Sequence, residues 1–140
     1  FCRVGTKHML DILTRLSEGK ADMKEIDELE SLCHYVKNGS LCGLGKTAPN
    51  PVITGLKYFR KEYEAHASGI CPAKKCRELI RYVITDKCTG CTKCSQECPV
   101  GAIGFRPYEK HEINQELCTK CDNCRIVCPE NAVEIMDNNV

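Results

Sequence analysis

Eight of the thirteen cysteines follow a spacing that is repeated thirty residues later in the chain. The first set is Cys88, Cys91, Cys94 and Cys98, and the second is Cys118, Cys121, Cys124 and Cys128. A proline follows each set, and Ala102 and Ile103 correspond to Ala132 and Val133. A repeat that stays in register over so many positions predicts two copies of one structural unit.

These cysteines indicate bound metal rather than disulfides. Their total is odd, most stand in C-x2-C steps, and the charged N-terminal stretch shows no secretory signal pattern. Tryptophan is absent and only 6% of the residues are aromatic, so a metal must replace part of the missing apolar core. We therefore expect a reducing, cytoplasmic location. No apolar run reaches the roughly 20 residues of a membrane helix.

Each copy reads C-x2-C-x2-C-x3-C-P, the spacing that wraps three cysteines around one [4Fe–4S] cube. The fourth cysteine lies past the turn, so paired motifs exchange it. We expect one cluster on Cys88, Cys91, Cys94 and Cys128. The second cluster is expected on Cys98, Cys118, Cys121 and Cys124. A pair of zinc ribbons is the alternative, but it leaves half of these cysteines without a role. His111 is interpreted as a solvated turn residue, and no residue here is catalytic.

This pattern resembles bacterial two-cluster ferredoxins over about 55 residues. The resemblance implies low-potential electron transfer and a (βαβ)2 fold for residues 84–140. Its strands would lie near 82–84, 103–105, 111–113 and 133–136, with residues 106–111 linking the halves.

The N-terminal part, residues 1–67, is predicted to be a helical bundle. Helices are expected over residues 7–18, 22–37 and 51–67, with an irregular loop over 40–51. Asp22 and Glu25 form a candidate capping box at the second helix. The predicted apolar stripes are Leu10, Leu13 and Leu16 in the first helix, and Ile53, Leu56, Phe59, Tyr63 and His66 in the third. Residues 68–83 are expected to be a cysteine- and histidine-bearing knuckle and linker, with the domain boundary near Tyr82.

Two N-terminal cysteines stand in the segments Phe1-Cys2-Arg3-Val4-Gly5 and Ser40-Leu41-Cys42-Gly43-Leu44-Gly45. These segments resemble the cluster-binding domain of the flavin-bearing, NADH-oxidising subunit of complex I. The resemblance implies that Cys2 and Cys42 are two of four ligands of a third [4Fe–4S] cluster. The other two ligands, and the FMN and nucleotide sites, are expected upstream of Phe1, in a longer subunit.

A separate metal site is predicted from the spacing H-x4-C-x4-C of His66, Cys71 and Cys76. An imidazole and two thiolates suit tetrahedral zinc. The fourth ligand stays open between Cys33, Glu64 and water. Cys33 itself lies at helical spacing with Ile26 and Leu29, which favours core packing over ligation.

Together these features predict an α+β chain that transfers single electrons and has no substrate site of its own. The whole pattern is similar to the beta subunit of electron-bifurcating, NAD-linked [FeFe] hydrogenases. That similarity implies three partners: an [FeFe] hydrogenase catalytic subunit, a small [2Fe–2S] subunit and soluble ferredoxin. Alternatives are the same subunit type in a formate dehydrogenase or another NADH-linked reductase, and a metal-stabilised interaction module. The formal net charge of +1 does not favour nucleic acid.

Overall fold

The computed structural model describes residues 1–138, which divide into two compact units, Phe1–Leu79 and Ile80–Asn138. Residues 68–79, expected to belong to a linker, are part of the first unit. Tyr82, near which the sequence places the boundary, lies inside the first strand. Within residues 1–138, no helix combines the length and the apolar character that a membrane span requires.

The first unit contains four helices, α1 (Cys2–Ser17), α2 (Met23–Gly39), α3 (Gly43–Thr47) and α4 (Asn50–Ala67). The predicted capping box begins α2. The Asp22 carboxylate accepts from Glu25 N at 3.0 Å, and Asp22 N donates to the Glu25 carboxylate at 3.2 Å. The prediction that residues 40–51 contain no regular element was wrong. The short helix α3 forms there because the Cys42 sulfur accepts from Gly45 N at its first turn, and Pro49 comes only after it ends.

An apolar core holds the first unit together. Its buried members are Met9, Ile12, Leu16, Ala21, Ile26, Leu29, Cys33, Val36 and Leu56. Two assignments to apolar stripes were wrong. Leu10 is 55% exposed, since the buried face of α1 runs through Met9, Ile12 and Leu16. Phe59 is 57% exposed and lies at a kink, where the α4 backbone leaves the helical conformation (φ −126°, ψ 25°).

A single 3-10 turn, Arg77–Leu79, ends the first unit. The second unit begins with β1 (Ile80–Ile84), which pairs antiparallel with β2 (Val133–Asp137). Along the chain, two one-turn helices come between these paired strands: α5 (Lys93–Gln96) and α6 (Asn123–Ile126).

The inner strand pair is shorter than predicted. Where strands over 103–105 and 111–113 were expected, the structure has one isolated antiparallel bridge between Ile103 and Ile113. Gly104 follows the bridge directly, and Pro107 has no backbone N–H to donate. Both residues weaken strand pairing, which explains why the bridge does not extend into a ladder.

Candidate iron–sulfur and metal centres

The eight repeated cysteines line two separate cavities in the second unit. One cavity, here named centre I, is lined by Cys88, Cys91, Cys94 and Cys128. The other, here named centre II, is lined by Cys98, Cys118, Cys121 and Cys124. Each cavity thus combines three cysteines of one repeat with the fourth cysteine of the other repeat. This is the exchanged arrangement that the sequence predicts.

The repeat is visible in the backbone as well as in the sequence. Left-handed residues occur in three pairs thirty positions apart. These pairs are Gly90 and Lys120 (φ 70° and 55°), Thr92 and Asp122 (64° and 72°), and Gly101 and Asn131 (62° and 48°). Such conformations turn successive N–H groups towards one side, which forms a concave surface for negative charge. In both copies a backbone N–H reaches the fourth cysteine: Ala102 N donates to Cys98 Sγ and Ala132 N to Cys128 Sγ, each at 3.3 Å.

Burial and mutual repulsion disfavour the thiolate forms of these cysteines unless a cation is bound. Burial, followed by the charges of Cys88, Cys91 and Cys128, raises the pKa of Cys94. In centre II, burial and then the charges of neighbouring cysteines raise the pKa of Cys124 to about 11. Four thiolates in one mostly apolar cavity therefore need a positively charged group to balance them, and metal binding releases their protons. The cysteines present thus fit iron–sulfur clusters at both centres.

The two N-terminal cysteines of the first unit lie at the start of α3. Cys42 is the N-cap of that helix, and its sulfur lies 3.4 Å from Gly45 N. A Cβ at Gly45 would stand 3.1 Å from the Cβ of Cys2, so both cysteines border the same glycine. Cys42 is exposed and Cys2 partly exposed. The structure thus brings the predicted pair together near the surface of the unit.

A separate candidate metal centre is formed by His66 at the end of α4 and by Cys71 and Cys76 in the turn that follows. Their ligand atoms all lie within 4.8 Å of one another. His66 Nδ1 donates to the carbonyl oxygen of Glu62 at 2.6 Å, which leaves the Nε2 lone pair facing Cys76 Sγ at 3.2 Å. A second hydrogen bond of this kind is what orients a metal-binding imidazole.

The two thiols of this site differ in how readily they lose a proton. Burial acts to raise the pKa of Cys71, but N–H groups of Cys76 and Lys75 and the other members of the site outweigh it and lower that pKa to about 7. Burial and the hydrogen bond with Cys71 raise the pKa of Cys76 to about 11. One sulfur is thus prepared as a thiolate close to neutral pH, as zinc requires.

Neither residue named as a candidate fourth ligand belongs to this group. Cys33 is fully buried inside the helical core, in agreement with its helical spacing. The Glu64 carboxylate lies 3.3 Å from Arg60 Nε, in an ion pair within α4. Among residues 1–138 the site therefore offers three ligands.

The interpretation of His111 as a solvated residue was wrong. It is only 2% exposed, it lines centre I, and its Nδ1 lies 3.6 Å from Cys88 Sγ. The sequence carries a weak signal for this. Tyr82 and His111 each stand two residues before an isoleucine, Ile84 and Ile113. Tyr82 and Ile113 line centre II, and His111 and Ile84 line centre I. Tyr82 and His111 are 29 residues apart, one fewer than the spacing of the cysteines, so the thirty-residue repeat read back from Tyr82 points to Glu112 and misses His111.

Comparison with known families agrees with the two units. The family of the NADH-ubiquinone oxidoreductase-F iron–sulfur binding region matches residues 1–66, and the 4Fe-4S dicluster domain family matches residues 82–132. The chain is 42% identical, over 79% of its length, to the NADP-reducing hydrogenase subunit HndC of Solidesulfovibrio fructosivorans. It is 39% identical, over 51% of its length, to the F subunit of the NADH-quinone oxidoreductase of Streptomyces coelicolor.

The chain spans less than a quarter of these relatives, 23% of the hydrogenase subunit and 16% of the quinone oxidoreductase subunit. The predicted relationship to NADH-type subunits is confirmed by these matches. Residues 1–66 thus resemble an iron–sulfur binding region of the NADH-ubiquinone oxidoreductase F type, and residues 82–132 resemble a 4Fe–4S dicluster domain.

Proposed function

We propose that this chain conducts single electrons between two [4Fe–4S] clusters, held at centres I and II, as part of an NADH-linked oxidoreductase. The observation that carries this proposal is the pair of cavities, each lined by four cysteines in the exchanged arrangement. A bound [4Fe–4S] cluster supplies one-electron chemistry, and the protein supplies ligands, burial and hydrogen bonds.

The exchanged cysteines connect the two repeats at the proposed clusters. Cys98 and Cys128 each leave one repeat and enter the centre of the other, so neither centre assembles from one repeat alone. The same exchange holds the two centres at a fixed separation within one small unit. Ala102 N and Ala132 N donate to these two sulfurs and help to stabilise their negative charge.

The wider assignment rests on the relatives. We propose that Cys2 and Cys42 complete a third [4Fe–4S] cluster with two cysteines upstream, in a longer subunit that also binds FMN. The similarity to a subunit of an NADP-reducing hydrogenase favours a role as the bridge segment of a cytoplasmic, flavin-based [FeFe] hydrogenase complex. In that role the chain would serve electron bifurcation between H2, NAD and ferredoxin. Its partners would be the hydrogenase catalytic subunit, a [2Fe–2S] subunit and ferredoxin.

The exchange of the fourth cysteines is tested by removing the ligands of one centre and then substituting each candidate fourth ligand of the other centre. In the chain with Cys88, Cys91 and Cys94 all changed to Ser, only centre II should assemble and give an EPR signal after dithionite reduction. Adding Cys98→Ser should abolish that signal, whereas the matched change Cys128→Ser should leave it. The reverse result would show that each repeat ligates its own cluster. Failure to reduce any cluster in the wild-type chain would refute electron transfer.

We also propose zinc at His66, Cys71 and Cys76, where three converging ligands and an oriented imidazole support it. Metal analysis of anaerobically purified protein should find zinc in the wild-type chain and lose it in His66→Ala. The control Cys33→Ala should keep its zinc, because Cys33 lies in the apolar core. Absence of zinc from the wild-type protein would contradict this assignment.

A further inference from the structure

The buried imidazole of His111 makes the two centres unequal. Its Nδ1 lies 3.6 Å from Cys88 Sγ, within the range of a hydrogen bond to sulfur. Its other nitrogen, Nε2, is buried without a hydrogen-bond partner among the residues that the structure describes. Burying an imidazole that makes no hydrogen bond costs free energy. The Cys88 sulfur is the hydrogen-bond partner within reach of Nδ1.

The matching position in the other half is occupied by Tyr82, which behaves differently. Tyr82 is 3% exposed and lines centre II, as His111 lines centre I. Its hydroxyl is hydrogen-bonded to the Asp122 carboxylate, and burial together with this bond raises the pKa of Tyr82 to about 12. The hydroxyl is thus engaged with a carboxylate, whereas the imidazole faces a cysteine sulfur.

Two other features of the cysteine ligands are closely matched between the centres. Ala102 N and Ala132 N approach their cysteine sulfurs at the same distance of 3.3 Å. Cys94 and Cys124 are both buried, at 7% and 8% exposure. A hydrogen bond to a ligand sulfur stabilises the more negative, reduced form of a cluster and so raises its reduction potential. The difference between Tyr82 at centre II and His111 at centre I should therefore make the reduction potentials of the two clusters unequal.

We propose that His111 Nδ1–H donates a hydrogen bond to Cys88 Sγ and so gives centre I a higher reduction potential than centre II. His111 acts on the cluster through its ligand, and is therefore a positioning residue. The first electron to enter the second unit would then rest at centre I. This inference depends on the proposed function, since it requires clusters at both centres.

The test is an EPR-monitored redox titration of the full chain at one fixed pH. His111→Phe keeps an aromatic ring but removes the donor, and should lower one of the two potentials enough to shift the oxidised-to-reduced ratio roughly tenfold, about 59 mV for one electron. His111→Asn places an amide N–H close to the Nδ1 position and should restore part of the shift. Tyr82→Phe, the matched control, should leave the higher potential unchanged.

A spectroscopic readout keeps the test independent of small changes in packing. With 15N-labelled histidine, the reduced wild-type chain should show nitrogen hyperfine coupling to one cluster, and His111→Phe should lose it. The inference is overturned if both clusters assemble but His111→Phe moves neither potential, or if His111→Asn behaves like His111→Phe. If the wild-type chain assembles no cluster, the proposed function fails instead.

Discussion

The two units of this chain are stabilised in different ways. The first unit buries a continuous apolar cluster contributed by α1, α2 and α4, including Ile26 and Leu29, which are fully buried. The second unit has one two-stranded sheet, two one-turn helices and eight cysteines around two cavities. A two-stranded sheet alone is at best marginally stable in water. Hydrophobic burial can therefore suffice for the first unit, whereas we expect the second to depend on the clusters proposed at centres I and II.

Removal of iron should produce the largest difference in stability between the two units. Treatment of the full chain with a chelator and an oxidant should abolish hydrogen-exchange protection over residues 80–138, because cluster binding provides much of that unit's folding free energy. Protection in α2 and α4 should persist, and most of the helical circular dichroism should remain. Unchanged protection across β1 and β2 would show that the second unit folds without clusters.

A cavity in the apolar core should have the opposite effect. Leu29→Ala is expected to lower the free energy of unfolding of the first unit by about 3 kcal/mol, since the side chain is fully buried in the helical cluster. Urea denaturation followed by circular dichroism measures the loss. The control Tyr35→Ala, on the same helix but 68% exposed, should change little. EPR signals of the second unit should be unaffected in both variants, and loss of those signals would contradict the independence of the units.

A substitution at Gly90 should distort the tight cysteine loop of the first repeat. An added Cβ would stand 2.5 Å from Glu109 N, and the φ of +70° disfavours any side chain, so Gly90→Ala should cost about 2 kcal/mol. The expected result is a reduced iron content at centre I after anaerobic reconstitution. Gly104→Ala is the matched control, since a Cβ there meets nothing within 4 Å. Equal iron content in both variants would argue against a tight loop at Gly90.

The smallest expected effect concerns the start of α2. Asp22→Ala removes the capping box and should lower the stability of the first unit by about 1 kcal/mol. Thermal or urea unfolding monitored at a helical band measures this change. Asp11→Ala, at an exposed i,i+4 ion pair with Lys7, should cost much less. Similar losses in the two variants would mean that the cap contributes nothing specific.

Local sequence signals predicted the fold well where the cause was local. The capping box formed at Asp22 and Glu25 because both partners lie within one helical turn. The register of α1 was misassigned at Leu10, because the buried face depends on which side α2 approaches. The helix α3 was missed, because a cysteine sulfur acts there as the cap.

The cysteine repeat by itself determined where the candidate cluster ligands lie, since their spacing is a property of short, tight loops. Only the tertiary structure decided what surrounds them. His111 is buried against Cys88, twenty-three positions away in the chain, and His66 meets Cys76 beyond the end of its helix. Such contacts depend on how separate segments pack against one another. The spacing of residues along the chain carries little information about that packing, and for this reason the inequality of the two centres emerged only from the fold.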